Sequence, residues 1–244
     1  SLAMIERKHK SAVPAQPAAQ PAPTGSPPRQ RFSRAERRRM IVEGAAAYYA
    51  DHGLDATTRD VAASLGVSQG LLYKYFDGKD ALRDAVYDHF FQDRWKPEWD
   101  ELLAESGMPL RDRLVAFYTG YADGFSYVGM RLFMLAGLNS RGLAGRYRFP
   151  LTDRIFKPVI AGLRKEAGLE DFETVAMTRG EREPAMMMHG GGVFIGIRKF
   201  IYQMPLPDDL SDVIELQVDT FLGTAAQSLK RVHAADTLNV PLLR

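Results

Sequence analysis

The chain has 244 residues, of which 45% are hydrophobic and 25% charged, and 32 basic against 30 acidic side chains leave a net charge of only +2. This is the composition of a globular protein with one large or two small domains, not of a bulk polycation, so any nucleic-acid surface has to be a local patch. Cysteine is absent, which excludes a disulfide framework, a thiolate metal site and a cysteine nucleophile, and no apolar run reaches the roughly 18–20 residues of a membrane helix. With no secretory-type apolar stretch at its start, the chain is expected to be cytoplasmic, with no membrane among its partners.

Residues 1–30 are read as a disordered Pro/Ala-rich tail. Pro14, Pro17, Pro21, Pro23, Pro27 and Pro28 remove backbone donors, and the alanines and glutamines between them offer little to bury. Regular structure is expected from Arg31. The first helix is predicted to be capped by Ser33, with Glu36 three positions on as its capping-box partner. Met40, Ile41, Gly44, Ala45, Tyr48 and Tyr49 share one face, and Gly53 stops the helix. A short second helix starts at Thr57 or Thr58 and buries Val61, Ala62 and Leu65. Gly66 ends it, and Ser68 caps a third helix, QGLLYKYF. Asp77 is predicted to cap a fourth helix that runs from about Lys79 to Trp95.

Two short helices joined by a tight turn form a helix-turn-helix pattern. The small Ala62 suits a close helix crossing, Gly66 suits a turn that needs positive φ, and Leu72 pins the third helix inward. That leaves Ser68, Gln69, Gly70, Tyr73 and Lys74 on the outward face. A glutamine can pair bidentately with an adenine edge in the major groove, and a glycine lets the backbone approach closely. Ser68, Tyr73 and Lys74 suit phosphate contacts, as does Lys79 beside a helix N-terminus. Arg34 is a further candidate for a backbone contact. Residues 31–80 hold eight Lys/Arg and seven Asp/Glu, so affinity must rest on placed contacts rather than on net field.

The run Arg34–Leu82 resembles the DNA-binding domain of the TetR family of transcriptional regulators. The resemblance rests on Ile41, Ala45–Ala46, Tyr48/Tyr49 and Gly53, on T-R-D-V-A at Thr58–Ala62 and L-G-V-S at Leu65–Ser68, and on L-Y-K-Y-F-D-G-K-D-A-L at Leu72–Leu82. It implies DNA contacts at Thr57, Thr58 and Arg59 as well as on the third helix, with Tyr73 on a phosphate. The segment Gly53–Val61 is one residue shorter than the commonest family spacing, which leaves either Thr57 or Thr58 as the phosphate-facing cap. The resemblance further implies an all-α fold, with a three-helix DNA-binding domain at 31–80 and a larger helical effector-binding and dimerisation domain at 81–244. The function it implies is that of a sequence-specific transcriptional regulator: a homodimeric repressor, released from a palindromic operator in double-stranded DNA by a small-molecule effector. A helical ligand-binding or interaction protein that does not read DNA is the alternative.

Beyond Glu98 only helical signals occur, near 98–106, 110–126, 128–140, 150–167, 182–203 and 210–232. Effector-binding candidates on these stripes are Tyr118, Tyr121, Phe125, Phe133, Met134, Phe156, Met187, His189 and Phe194, and their character points to an apolar or aromatic effector. The glycines of MMMHGGGVFIGIRKFIY disfavour a helix unless close packing offsets them. A dimer interface is expected there, formed by Gly192 and Gly196 with a second helix that carries Val213, Leu216, Phe221, Leu222 and Leu229; a ligand-adjacent kink at the glycines is the rival explanation. The five histidines are scattered, Gly78-Lys79 lacks the rest of a phosphate loop, and no G-x-S-x-G elbow is present. No catalytic residues, no metal and no cofactor are expected, and the protein is not read as an enzyme.

Overall fold

The computed structural model describes residues 32–104, 107–139 and 151–234. The tail predicted at 1–30 and the break predicted near 141–145 lie outside them. Among the described residues the elements are all helices, joined by turns and loops, with no strand.

Three helices build the N-terminal unit. In α1 (Arg34–His52) the reciprocal box is present: the Glu36 amide donates to Ser33 Oγ at 3.1 Å, and the Ser33 amide donates to Glu36 Oε2 at 2.7 Å. The helix stops at Gly53, whose φ of +89° needs glycine. A second box fixes the start of α2 (Thr58–Ser64), where Asp60 N–H donates to Thr57 Oγ1 and Thr57 N–H to the Asp60 carboxylate. Thr57 is therefore the cap, and Thr58 is free to turn inward. Gly66, at φ +62°, makes the turn to α3 (Gln69–Tyr73), which Ser68 caps by accepting from the Leu71 amide. Ala62 is buried in this unit, and α1 also packs closely on the end of α2: a Cβ at Gly44 would lie 2.1 Å from Leu65 Cδ2.

The fourth helix departs from expectation twice. Asp77 stands at the cap position of α4 (Gly78–Tyr87), but its side chain makes no cap hydrogen bond. The predicted single helix to Trp95 also opens into a π-turn over Asp88–Gln92, closed by Asp93 N–H donating to Asp88 O at 2.8 Å. One extra residue per turn rotates Phe90 and Phe91 relative to the α4 face before them.

The body comprises α5 (Pro97–Ala104), α6 (Leu110–Asp123), α7 (Tyr127–Asn139), a second π-turn (Thr152–Phe156), α8 (Lys157–Ala167), α9 (Arg179–Phe200) and α10 (Ser211–Ala234). Its core gathers Trp99, Leu114, Phe117, Phe156, Ile160 and Val218. The N-terminal core is not confined to 31–80. It continues through Leu82, Ala85, Val86 and Tyr87 of α4 and takes in Leu132 and Ala136 of α7. So α4 and α7 belong to both halves.

A buried ion pair anchors the far end of the body. Arg164 donates from Nε to Glu181 Oε1 at 2.7 Å and from Nη2 to Oε2 at 2.8 Å, with both side chains essentially inaccessible. The carbonyls of Glu170, Val175 and Ala176 accept its remaining protons. Glu181 also accepts from the Thr178 amide, in a third capping box, and meets His233 Nε2 of α10 at 2.8 Å. Burial pushes the Glu181 carboxyl up, but the bonds from Arg164, His233 and Thr178 outweigh it and hold it at about 2. That box starts α9 at Arg179, three residues before the predicted start.

Candidate nucleic-acid interface and ligand cleft

The face predicted to read DNA is pre-arranged by hydrogen bonds between α2 and α3. Gln69 Nε2 donates to Thr58 Oγ1 at 2.9 Å and reaches Tyr73 Oη at 3.3 Å, and the two hydroxyls lie 3.2 Å apart. Thr58 is mostly buried, while Tyr73 is 53% exposed, so the network runs from the inside of the unit to its surface. Both Nε2 protons of Gln69 are engaged in this network, so a base edge can pair with them only when the longer bond to Tyr73 opens. Ser68, Gly70 and Lys74 are exposed around it. A Cβ at Gly70 would have only Ser68 Oγ within 4.0 Å, so the backbone there is open to close approach.

The surrounding cations come from separate segments. Lys79, at the start of α4, reaches back to donate to the Asp55 carbonyl at 2.6 Å, which fixes its ammonium beside the loop that leads into α2. Arg59 is exposed in the first turn of α2. Arg34 lies 5.9 Å from the Tyr75 ring centroid. Thr57 is exposed, with its hydroxyl engaged by Asp60. The tie between Thr58, Gln69 and Tyr73 was not foreseen; the i, i+4 spacing of Gln69 and Tyr73 on one short helix was its only sequence signal.

Behind this unit lies a cleft of about 480 Å³, between the first π-turn, α5, α6, α7 and α9. Such a volume suits a small organic ligand. Of the effector-binding candidates, Tyr121, Phe125 and Phe133 line it. Tyr118, Phe156 and His189 do not: they form a buried aromatic cluster behind it, with the His189 ring 5.5 Å from Tyr121 and 6.0 Å from Phe156. Burial pushes the His189 imidazole down to about 4, so it is neutral, and pushes the Tyr118 hydroxyl far above its usual range. Met134 is half-buried and off the cleft. Met187 and Phe194 point the other way, onto the outer side of α9, with Met187 75% exposed. On an apolar-all-round helix, periodicity does not say which side is which.

Sequence reading missed much of the lining. Phe90 and Phe91 reach the cleft through the π-turn, which no residue pattern announces, and Trp95, Trp99 and Met130 join them. The interface candidates also divide. A Cβ at Gly192 would lie 3.0 Å from Tyr118 Cδ1, and one at Gly196 would lie 2.8 Å from Phe125 Cδ2. Those glycines therefore serve close packing inside the subunit, not contact between copies. Phe221 and Leu222 are half-buried against the body core. Leu216, 69% exposed, stands out on α10, as Met187 and Phe194 do on α9.

Among the described residues no group of His, Asp or Glu is placed to hold a metal ion, and no helix is long and apolar enough to cross a membrane.

Comparison with known proteins agrees with this geometry. Residues 41–86 match the family described as "Bacterial regulatory proteins, tetR family". The HTH-type transcriptional repressor KstR2 of Rhodococcus jostii (strain RHA1) is 37% identical over 84 residues, which are 34% of this chain and 40% of that protein. The chain thus matches well under two thirds of that relative's length. Two crystal structures share the fold at low identity. A TetR-like transcriptional regulator from Rhodococcus sp. RHA1 is similar at a TM-score of 0.58 and 20% identity, over 79% of this chain and 99% of that one. AmtR of Mycobacterium smegmatis is similar at 0.58 and 23%, over 85% and 98%.

Proposed function

We propose that this chain, whose residues 41–86 match the TetR family and whose helical fold is TetR-like, is a ligand-responsive, sequence-specific transcriptional regulator. It acts as a homodimeric repressor that places α3 of each subunit in successive major grooves of a palindromic operator, about 34–36 Å apart or a multiple of that. Gln69 reads a base edge, Gly70 allows the backbone to close in, and Ser68, Tyr73, Lys74 and Lys79 hold phosphates, with Arg34, Arg59 and Thr57 at the margins, whereas Thr58 is buried behind Gln69 and holds that side chain rather than DNA. The exposed apolar side chains Met187, Phe194 and Leu216 on α9 and α10 supply the dimer face.

The observation that carries the reading is the sharing of walls. The cleft is lined by Tyr87 and Phe90 on the α4 side and by Met130 and Phe133 of α7. The same two segments give Leu82, Val86, Leu132 and Ala136 to the core beneath the reading unit. Arg131 of α7 donates to the Ala50 carbonyl at 2.5 Å, and Tyr127 to Asp51 Oδ1 at 3.1 Å, both at the end of α1. A ligand that prefers one arrangement of these walls shifts the spacing of the two reading helices by its differential affinity for the two states.

The test is a footprint on the DNA flanking the gene and on selected genomic fragments, at fixed near-physiological salt with excess competitor. A symmetric protected site is expected. Gln69→Ala should relax base preference at one position, and Lys79→Ala should weaken all binding and flatten its salt slope by about one unit. Absence of any protected fragment at micromolar dimer would overturn the reading in favour of a ligand carrier that does not read DNA.

A further inference from the structure

Several polar side chains, among them Asp93, Arg94, Lys96 and Asp123, stand at the rim of the aromatic cleft, and Arg94 is the one set against glycines. Arg94, just past the first π-turn, lies against two glycines where α6 gives way to α7. A Cβ at Gly124 would sit 2.9 Å from Arg94 Nη2, and one at Gly129 would sit 3.9 Å from Nη1. Both positions therefore leave room for a planar guanidinium that any other residue at Gly124 would displace. Several other arginines of the body are already paired. Arg111 binds Asp219 and Glu215, Arg113 donates to the Leu103 carbonyl, Arg154 lies beside Asp100, and Arg164 is paired with Glu181. Among the described residues no carboxylate lies within ion-pair distance of Arg94, although Asp93 and Asp123 stand on the same rim.

Taking the cleft as the effector site of the regulator described above, we propose that its ligand is an apolar monoanion, a hydrocarbon-rich carboxylate whose head group is read by Arg94. The wall carries the body of such a molecule: Phe90, Phe91, Trp95, Trp99, Phe133 and Leu151 surround a volume large enough for a ring system or a medium-length chain. The exposed guanidinium of Arg94 stands at the mouth of this apolar cleft and has the planar geometry that matches a carboxylate bidentately. Lys96, with its ammonium 5.4 Å from the Trp99 ring, and Arg94 offset the charge of Asp93 and Asp123 at the mouth. Selection of an anion thus rests on the placed guanidinium, not on net field. Two π-turns, Asp88–Gln92 and Thr152–Phe156, adjoin the cleft, the second directly after the lining residue Leu151. Such turns recur at functional sites because they re-aim side chains that a regular helix cannot.

The chain's two tryptophans, Trp95 and Trp99, both line the cleft, so tryptophan emission reports on it specifically. The experiment titrates the full chain with cyclohexanebutyrate, a transparent apolar carboxylate, and with its neutral amide, and follows that emission. The acid is expected to bind about tenfold more tightly than the amide. In Arg94→Gln that preference should vanish through weaker binding of the acid, and Arg94→Lys should restore part of it; far-ultraviolet circular dichroism checks that each variant is folded. Equal affinity for acid and amide, no response to the acid at millimolar concentration, or an unchanged preference in Arg94→Gln would overturn the proposal. The titration contains no DNA, so its failure is separate from failure of the footprint.

Discussion

The reading unit and the body are built by different means. In α1–α3, structure is set by neighbours in sequence: Ser33 with Glu36, Thr57 with Asp60, Ser68 with the Leu71 amide, and Gly53 and Gly66 at positive φ. In the body the decisive contacts join distant residues, such as Arg164 with Glu181 and His233, or Arg111 with Asp219. The same capping box occurs in both places, exposed at Ser33 and Thr57 but buried at Thr178, where its Glu181 is also the partner of Arg164. A local motif placed in solvent only starts a helix; placed in a core, it holds several elements together.

The largest expected effect sharpens this contrast. Glu181→Ala leaves the inaccessible Arg164 guanidinium without its counter-charge, and removal of one partner from such a pair costs about 3–5 kcal/mol. Chemical denaturation followed through Trp95 and Trp99 should show a loss of that order. Replacing both residues with apolar side chains of similar size should restore much of the stability, since the pair itself gains little over well-packed hydrophobic residues. A loss below 1 kcal/mol for the single change would mean that solvent reaches the pair.

Acid should act on the body as well. His189 titrates at about 4 when folded because burial disfavours its cation, and near 6.5 when unfolded. Between those values the unfolded state binds the extra proton, so this stabilisation is complete above pH 6.5 and is lost as pH falls toward 4, at up to about 1.4 kcal/mol per pH unit. Glu181, held at about 2, adds a second loss that begins only below about pH 4.5. Unfolding midpoints against pH should bend first near 6.5, and His189→Gln should remove that bend while leaving the lower one. A profile flat from pH 7 to 5 would show that the imidazole is hydrated.

This division also explains what the residues disclosed in advance. The helix-turn-helix was legible down to its caps, because caps, turn glycines and a three-residue helix crossing are short-range facts. Two details escaped even there: Asp77 makes no cap bond, and Gly44 of α1 packs closely on Leu65 at the end of α2. In the body, helix positions were legible but facing was not. Met187 and Phe194 carry the same hydrophobic signal as Tyr121 and Phe125, yet one pair faces outward and the other lines the cleft or its edge. Gly192 and Gly196 signalled close approach correctly but could not say to what. The π-turn that brings Phe90 and Phe91 into the cleft sets the Phe91 ring 6.4 Å from Phe133 of α7, and nothing in the order of residues there differs from an ordinary helix.

The caps themselves test the contrast at lower energy. Ser33→Ala and Thr57→Ala should each cost about 1 kcal/mol, the usual value for an exposed N-cap. Thr178→Ala should cost more, because its hydroxyl accepts from the buried Glu181 amide and nothing else is there to replace it. Equal losses at all three would indicate that burial adds nothing to a cap, and the proposed difference between the two halves would fail.

The smallest effect on stability falls at the joint between them. Tyr127→Phe deletes only an exposed hydrogen bond to Asp51, so stability should change by less than about 0.5 kcal/mol. Yet that bond and the one from Arg131 are the polar ties, among the described residues, between α7, which carries Phe133 into the cleft, and the end of α1, on which α7 also packs. If α7 transmits occupancy, the variant should bind ligand and operator separately as the parent does, while the ligand's effect on operator affinity shrinks about two- to threefold, the worth of one hydrogen bond. Coupling unchanged in Tyr127→Phe and also in Arg131→Met would leave α4 as the carrier of the signal, and α7 as a passive support beneath the reading unit.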